Sequence, residues 1–322
     1  MNPDFDTLCV GGGSIRGLCE LGALHYLYTE NVLTYNSLKT FIGTSAGAMI
    51  VLLLSVGYTP MEIFTQIMKI ENWMKFEPLD ILNIQKHGGL LDIKYIIQHL
   101  ELMIKRKMHF IPTLNELHLR TGKRLVVCVV NASRKREEMM DYRTEPDLLC
   151  TEAVAMSCSM PVVFKRIEYK DCYYIDGAVT NNFPIDYAVK VGERVLGMCV
   201  ESENRNENFE DSFFSYMYAT MTLSTSTIQR MKIEMALNPF RKDGDCPKDI
   251  PHILHIVAKN TPALDFKLSR EAKLDMFCQG LKIARKYAIK EFWKLWGWEY
   301  ELFRETDLIS KEIDKKLNED RF

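Results

Sequence analysis

Leu38-Lys39-Thr40-Phe41-Ile42-Gly43-Thr44-Ser45-Ala46-Gly47-Ala48-Met49-Ile50-Val51-Leu52-Leu53-Leu54-Ser55-Val56 is the stretch that decides the fold. Leu38 to Ile42 has the pattern of a buried strand, and Ala48 to Val56 that of an apolar helix. Between them lies a G-x-S-x-G pentapeptide, Gly43 to Gly47. A serine hydroxyl is a poor nucleophile unless it is exposed and loses its proton. A tight strand-to-helix turn flanked by Gly43 and Gly47 can project Ser45 in that way. The Ala46 N–H, at the start of the helix, would then lie close to any oxyanion that forms.

The same pattern precedes this stretch. Phe5 to Val10 reads as a short buried strand, Gly11 to Gly17 as a glycine loop, and Leu18 to Tyr28 as a helix with Leu18, Leu21, Leu24 (or His25) and Tyr28 on one face. Strand, loop, helix, strand, turn and helix in that order predict an α/β fold, a mostly parallel central sheet flanked by helices. Further along, Arg124 to Val130 is the clearest central strand, apolar and β-branched almost throughout. Tyr173 to Ile175, Arg194 to Val200 and His252 to Val257 are further strand candidates. Thr59 to Gln98 is expected to be mostly helical, interrupted at Pro78 and at His87-Gly88-Gly89. Arg134 to Glu138 reads as a charged turn, Thr151 to Cys158 as a helix of small residues ending before Pro161, and Glu201 to Asp211 as a solvated loop. Ser212 to Asn238 looks helical. So does the tail from Ser269 to Phe303, with Leu274, Phe277, Leu281, Ala284, Ala288, Phe292 and Leu295 in one stripe.

The chain has 322 residues, enough for one large domain or two smaller ones. Hydrophobic residues make up 47% and charged residues 26%, which marks a globular chain. A net charge of -2 gives no bias toward nucleic acid. Nine scattered cysteines without a Cys-x-x-Cys pair read as reduced thiols, with Cys150 and Cys158 as small buried residues. The acidic N-terminus has no basic n-region, and no apolar run is long enough to span a bilayer. The expectation is a cytoplasmic protein, with peripheral membrane contact through one segment. Ala284 to Tyr300 sets Arg285, Lys286, Lys290 and Lys294 beside Trp293, Trp296 and Trp298, which suits either an interfacial amphipathic helix or an ordinary packed one.

The loop Gly11-Gly12-Gly13-Ser14-Ile15-Arg16-Gly17 lets several backbone N–H groups converge on one anion. It lacks the second glycine of a dinucleotide fingerprint, where Ser14 stands, and the Lys-Ser/Thr of a P-loop, where Leu18 and Cys19 stand. An oxyanion cradle remains. Arg16 sits where the helix dipole disfavours a cation. It calls for a carboxylate partner, a bond that pins the loop, or an anionic substrate group. A third motif, Asp176-Gly177-Ala178, follows a strand and precedes Asn181-Asn182-Phe183-Pro184. Ser45 needs a base. A histidine triad would draw on Asp176 and His255, although no histidine lies in a turn-defined site. A desolvated carboxylate held directly against the serine is the other solution.

Together these motifs resemble those of the patatin-like phospholipase family, which orders a glycine loop ending in Arg-Gly or Lys-Gly, a G-x-S-x-G serine and an Asp-Gly aspartate in this way. The resemblance extends to Ala155-Met156-Ser157-Cys158-Ser159-Met160-Pro161-Val162-Val163-Phe164, to the run from Asp176 to Asn182-Phe183-Pro184, and to the segment from His87 to Asp92. It implies an α/β-hydrolase-related fold with a catalytic core over residues 5–200, and a mostly helical elaboration of the same domain over 201–322. It implies a Ser45–Asp176 dyad without histidine, and an oxyanion hole from the Gly12, Gly13 and Ser14 backbone. The activity implied is cleavage of fatty-acyl esters of phospholipids or other lipids at a membrane surface, without cofactor or metal. The chain departs from the family at Gly11, where an Asp is frequent, and at Ser14, where a glycine is. Ser14 adopts positive φ less freely than glycine, which leaves the donors open. A catalytically silent lipid-binding module is the non-enzymatic alternative.

Overall fold

An apolar, β-branched strand such as Arg124–Asn131 is stable only where both of its faces are covered. A computed structural model describes residues 4–70, 88–203, 213–237, 250–259 and 268–293, and this strand lies inside its main sheet. In chain order the elements are β1 (Thr7–Val10), a 3₁₀ turn (Ser14–Arg16), α1 (Gly17–Thr29), β2 (Thr40–Thr44), α2 (Ala46–Ser55), α3 (Pro60–Lys69), β3 (Gly89–Leu91), α4 (Lys94–Met108), α5 (Leu114–Thr121), β4 (Arg124–Asn131), β5 (Arg136–Met140), α6 (Cys150–Ser157), β6 (Val162–Phe164), β7 (Ile167–Tyr169), β8 (Cys172–Asp176), α7 (Ala178–Asn181), α8 (Ile185–Val191), β9 (Val195–Ser202), α9 (Phe213–Leu237), β10 (His252–Ala258) and α10 (Arg270–Ala288), which passes into a π turn at Ile289–Trp293.

The main sheet runs β10-β9-β1-β2-β4-β8-β7, with β5 also paired to β4. From β10 to β4 every pairing is parallel; β5, β8 and β7 join antiparallel. The expected α/β class, mostly parallel, is the class observed. Side chains alternate along the strands as the pleat requires. Leu8, Val10, Phe41, Val127 and Val129 enter one apolar cluster with the helices α1 to α4. Cys9, Ile42 and Val126 enter a second with Phe183, Ile185 and Ala188 on the opposite face.

Local chemistry sets several helix ends. Thr59 Oγ1 accepts from the Glu62 N–H at 3.2 Å while Glu62 Oε2 accepts from the Thr59 N–H at 2.7 Å, closing a capping box with Pro60 at the first helical position. Thr113 and Glu116 repeat the arrangement before α5. Helix α10 crosses α1 at near backbone contact, because a methyl at Gly22 would meet the Phe277 carbonyl and one at Gly280 the Cys19 carbonyl. The expected stripe Phe277, Leu281, Ala284 and Ala288 is buried in that crossing, and Leu274 packs beside it. Phe292 and Leu295, the last of the stripe, lie outside the described side chains.

Two local expectations are corrected. Arg136 to Glu138 belong to a strand rather than a turn, the turn itself being residues 132–135. A charged strand is stable there because β5 pairs only with β4, and its charges find partners: Arg136 binds Glu138, and Glu137 binds Lys232. The interruption expected at His87-Gly88-Gly89 falls where β3 begins, at Gly89, and β3 pairs in parallel with β6. Glu201 and Ser202 extend β9 rather than opening a loop. Pro78, His87 and the rest of the expected loop up to Asp211, apart from Glu203, lie outside the described residues. The strand expected at His252 to Val257 is β10, which lies parallel to β9. Among the described residues no helix is long and apolar enough to cross a membrane.

Candidate active site

Strand β4 is the template that brings the two key residues together. β2 pairs with it as far as Thr44, opposite Cys128. β8 pairs with it from Asp176, opposite Val129. Ser45 therefore leaves the sheet where Asp176 arrives, from positions 131 residues apart in sequence, and Ser45 Oγ donates to Asp176 Oδ2 at 2.8 Å.

Ser45 sits at φ 52°, ψ -126°, a conformation that costs an L residue about 1–3 kcal/mol. Its surroundings fix it. The Ser45 N–H donates to Ser157 Oγ at 2.9 Å, and the Ser157 hydroxyl donates to the Cys128 carbonyl at 2.6 Å. The Ser45 carbonyl accepts from the Ala48 N–H at 2.9 Å, which opens α2 directly behind the serine. Gly47 is required by space: a methyl there would strike the carbonyls of Val10 and Gly11.

Asp176 is 1% exposed. Burial lifts its carboxyl from the ordinary 3.8 to about 7, against the lowering pull of two hydrogen bonds, from the Ala178 N–H and from Ser45. The Ala178 N–H reaches Oδ1 at 2.8 Å, so each carboxylate oxygen has one donor. A carboxyl held near neutrality, in contact with a serine hydroxyl, has the proton affinity of a general base.

The glycine loop faces this pair. Gly13, Ser14 and Arg16 line the same cavity as Ser45, Ala46 and Asp176. The N–H groups of Gly13, Ser14 and Ala46 make no hydrogen bond among the described residues. Gly12 is corrected: its N–H donates to the Asn182 carbonyl at 2.9 Å and is already committed. Ser14 does adopt positive φ, at 52°, in the place where the family often has glycine. Arg16 is buried. Gly43 lies in β2, two residues before Ser45, and Gly177 directly follows Asp176 at the start of α7.

No histidine hydrogen-bonds Ser45 or Asp176 among the described residues. His255, the expected triad member, lies on β10 with β9 and β1 between it and β2, and its Nε2 is 3.3 Å from Glu201 Oε2. That bond raises its proton affinity. His99 lines the cavity, but its Nδ1 faces the Tyr95 carbonyl at 2.8 Å. Cys158 and Cys150 are buried as expected, with thiols pushed up by burial.

The cavity holds about 540 Å³. From Ser45 it runs between α2, α3 and α4 along Met49, Leu53, Ile67, Ile96, Leu100 and Met103. Its other end is polar, with Glu201, Ser202, Thr225, Ser226, Gln229 and Arg230. Sequence reasoning assigned no role to Ser157, Asn182 or Gln229, although Ser157 and Asn182 both stood in segments that carry the family resemblance. The basic, Trp-rich segment from Ala284 is described only as far as residue 293, and Lys294, Trp296 and Trp298 lie outside it.

Over 190 residues the chain is 38% identical to a protein named probable lipid hydrolase 463L of Invertebrate iridescent virus 6, a match spanning 58% of this chain and 64% of the viral protein. It is 26% identical over 209 residues to triacylglycerol lipase 5 of Saccharomyces cerevisiae, covering 56% of this chain and 27% of the yeast protein. The chain thus spans less than two thirds of either relative. In fold it is similar to VipD from Legionella pneumophila, with a TM-score of 0.52 at 17% identity over 89% of this chain and 67% of that one. The family model of the patatin-like phospholipases matches residues 8–189, which hold the glycine loop, Ser45 and Asp176, and on that match the chain belongs to the patatin-like phospholipase family.

Proposed function

We propose that this protein is a serine acyl hydrolase that cleaves fatty-acyl esters of lipids through a Ser45–Asp176 dyad. The observation that carries the reading is the 2.8 Å bond from Ser45 Oγ to a buried Asp176 carboxylate at the head of a largely apolar cavity. Asp176 takes the Ser45 proton as Oγ attacks the ester carbonyl, and the carbonyl electron pair moves onto oxygen. The N–H groups of Gly13, Ser14 and Ala46 stabilise that oxyanion; loss of one such donor typically costs about 10²–10³ in rate. Collapse reforms the carbonyl, and the leaving alkoxide takes the proton from Asp176. Water, deprotonated by Asp176, then attacks the acyl-enzyme, and Ser45 leaves with the proton.

The apolar branch suits a fatty-acyl chain, and the polar end suits a headgroup, so a phospholipid acyl ester met at a membrane surface is the proposed substrate. Cytoplasmic location and peripheral membrane contact belong to the same reading. So does the division into a catalytic core over residues 5–200 and an elaboration over 201–322 within one domain, supported by the pairing of β10 with β9.

Fatty-acid release from mixed phospholipid vesicles, with chelator present, tests the reading in wild type, Ser45→Ala and Asp176→Asn, after circular dichroism has established folding. Wild-type release that falls at least about 10³-fold in both variants is expected. Full activity in Ser45→Ala would sink the mechanism, and an active Asp176→Asn would move the base elsewhere.

A further inference from the structure

Gln229 lies on α9, beyond the segment that the family model matches, yet it is only 3% exposed and it lines the cavity. A buried amide needs partners on both sides, and here they form a chain with one direction. A carboxylate only accepts, so Glu201 Oε1 must receive Gln229 Nε2–H, at 3.3 Å. Gln229 Oε1 is thereby turned toward Asn182 and accepts from its Nδ2 at 3.0 Å. The second hydrogen of the same Asn182 nitrogen goes to the Gly12 carbonyl, also at 3.0 Å. Asn182 thus holds Gly12 twice, since its own carbonyl accepts the Gly12 N–H.

The far end of the chain is fixed. Glu201 is on β9 and meets His255 of β10 through its other oxygen. α9 is anchored by Lys232, whose Nζ lies 3.4 Å from Asp186 and 3.2 Å from Glu137, and by the buried Ala236. The near end is tight: a Cβ placed on Gly12 would lie 3.2 Å from the Ser45 Cβ, so loop and nucleophile are in contact.

We infer that Gln229 is a positioning residue that acts through Asn182 to fix Gly12, and with it the aim of the Gly13 and Ser14 N–H groups at the oxyanion. The inference rests on the proposed hydrolase reading. Gln229 touches no reacting atom; its effect is on geometry, and a misplacement of about 1 Å at such a site can cost about 10²-fold in rate.

The test uses the whole chain in four forms: wild type, Gln229→Met, Gln229→Glu and the double exchange E201Q/Q229E. Methionine keeps the volume and removes both bonds. Glutamate sets two carboxylates against each other. The double exchange restores every donor to an acceptor, because the glutamine at 201 donates to the glutamate at 229 and still accepts from His255. Fatty-acid release gives kcat and KM, and labelling of Ser45 by a fluorophosphonate reads the oxyanion site directly, with Ser45→Ala as the unlabelled control. Both single variants are expected to lose about tenfold in kcat and in labelling rate with KM nearly unchanged, and the double exchange to recover most of it. Single variants equal to wild type, or a double exchange no better than Gln229→Glu, would overturn the inference. If wild type itself is neither active nor labelled, the hydrolase reading falls, and amide hydrogen exchange over residues 11–17 still decides this one: faster exchange in Gln229→Met supports positioning, and unchanged exchange refutes it.

Discussion

Replacing Asp176 by asparagine should destroy activity and stabilise the fold, with the gain appearing only at higher pH. The carboxyl is buried, and burial raises it to about 7 from 3.8. Between those two pH values the folded protein keeps the proton that the unfolded chain has released. The native state therefore binds more protons, and stability falls as pH rises through this window. Each tenfold change in proton affinity is worth about 1.4 kcal/mol, so the rise of roughly three decades costs the native state about 4 kcal/mol by pH 8. Asparagine has no charge to bury. It fits the same bonds, with Oδ1 accepting from the Ala178 N–H and Nδ2 facing Ser45 Oγ.

Thermal unfolding of wild type and Asp176→Asn at pH 4 and pH 8 is the assay. The two should melt together at pH 4, and the variant should melt several degrees higher at pH 8. The activity arm follows from the same number. With the base about a tenth ionised at pH 6 and about nine tenths at pH 8, log kcat/KM should climb with unit slope below pH 7 and level off above it. A variant no more stable than wild type at pH 8 would show that Asp176 carries no burial cost. A flat profile between pH 5 and 9 would remove it as the titrating base.

Other perturbations follow from the same site. Ser157→Ala removes the acceptor of the Ser45 N–H and the donor to the Cys128 carbonyl. It should cost about 1–3 kcal/mol in denaturant melts and, by releasing the Ser45 turn, about tenfold in kcat; unchanged kcat would show that the turn holds itself. Leu100→Trp fills the apolar branch lined by Leu100 and Met103. Expelling two methylenes forfeits about 1.6 kcal/mol, so kcat/KM for long acyl esters should fall about tenfold relative to short ones, as a chain-length series would read. Glu20 is fully buried, neither carboxyl oxygen has a hydrogen-bond partner among the described residues, and burial pushes its carboxyl well above the usual range. Its proton too is kept on folding, so wild-type stability drops as pH rises past 4.5. The gain in melting temperature of Glu20→Met should therefore widen from pH 4.5 upward, and a pH-independent gap would contradict it.

What the sequence displayed was the chemistry confined to neighbouring residues. Ser45 needs a turn, the turn needs close approach of Gly47 to Val10 and Gly11, and these residues stand together in the chain. The same is true of Asp176, whose second oxygen is served by a backbone N–H two residues away. Contacts made across the fold by ordinary residues were invisible. Ser157 lies 112 positions from the N–H it accepts, and Gln229 lies 47 from Asn182; the segment around Ser157 does not say what its hydroxyl binds, and a glutamine on a helix carries no local signal at all. β5 failed for a different reason. Its charges mimic a turn, and only the partners Lys232 and Tyr174, supplied by distant elements, make them tolerable in a strand. Gly12 was misassigned because a glycine loop advertises free N–H groups without saying which of them its neighbours consume.

The residues beyond the family match bear on the site as much as the match itself. Phe277 of α10 stacks on Phe64 of α3 with ring centroids 4.1 Å apart, and Lys273 reaches the Ile70 carbonyl at 2.8 Å. Ile67 of α3 and Ile70 just after it line the cavity, so its apolar branch is braced by a helix more than 80 positions past the matched segment. β10 covers the edge of β9, which carries Glu201, and α9 supplies Gln229. Cutting the chain near residue 200 would remove Leu254, Ile256 and Phe277, all buried in the main core, uncover Phe64 on which Phe277 stacks, and leave Asn182 without its acceptor on α9. The strained backbone of Ser45 and the buried carboxylate of Asp176 are both features that a loosened fold would relax. The dyad geometry thus depends on the last third of the chain, although none of the motifs that announce it lie there.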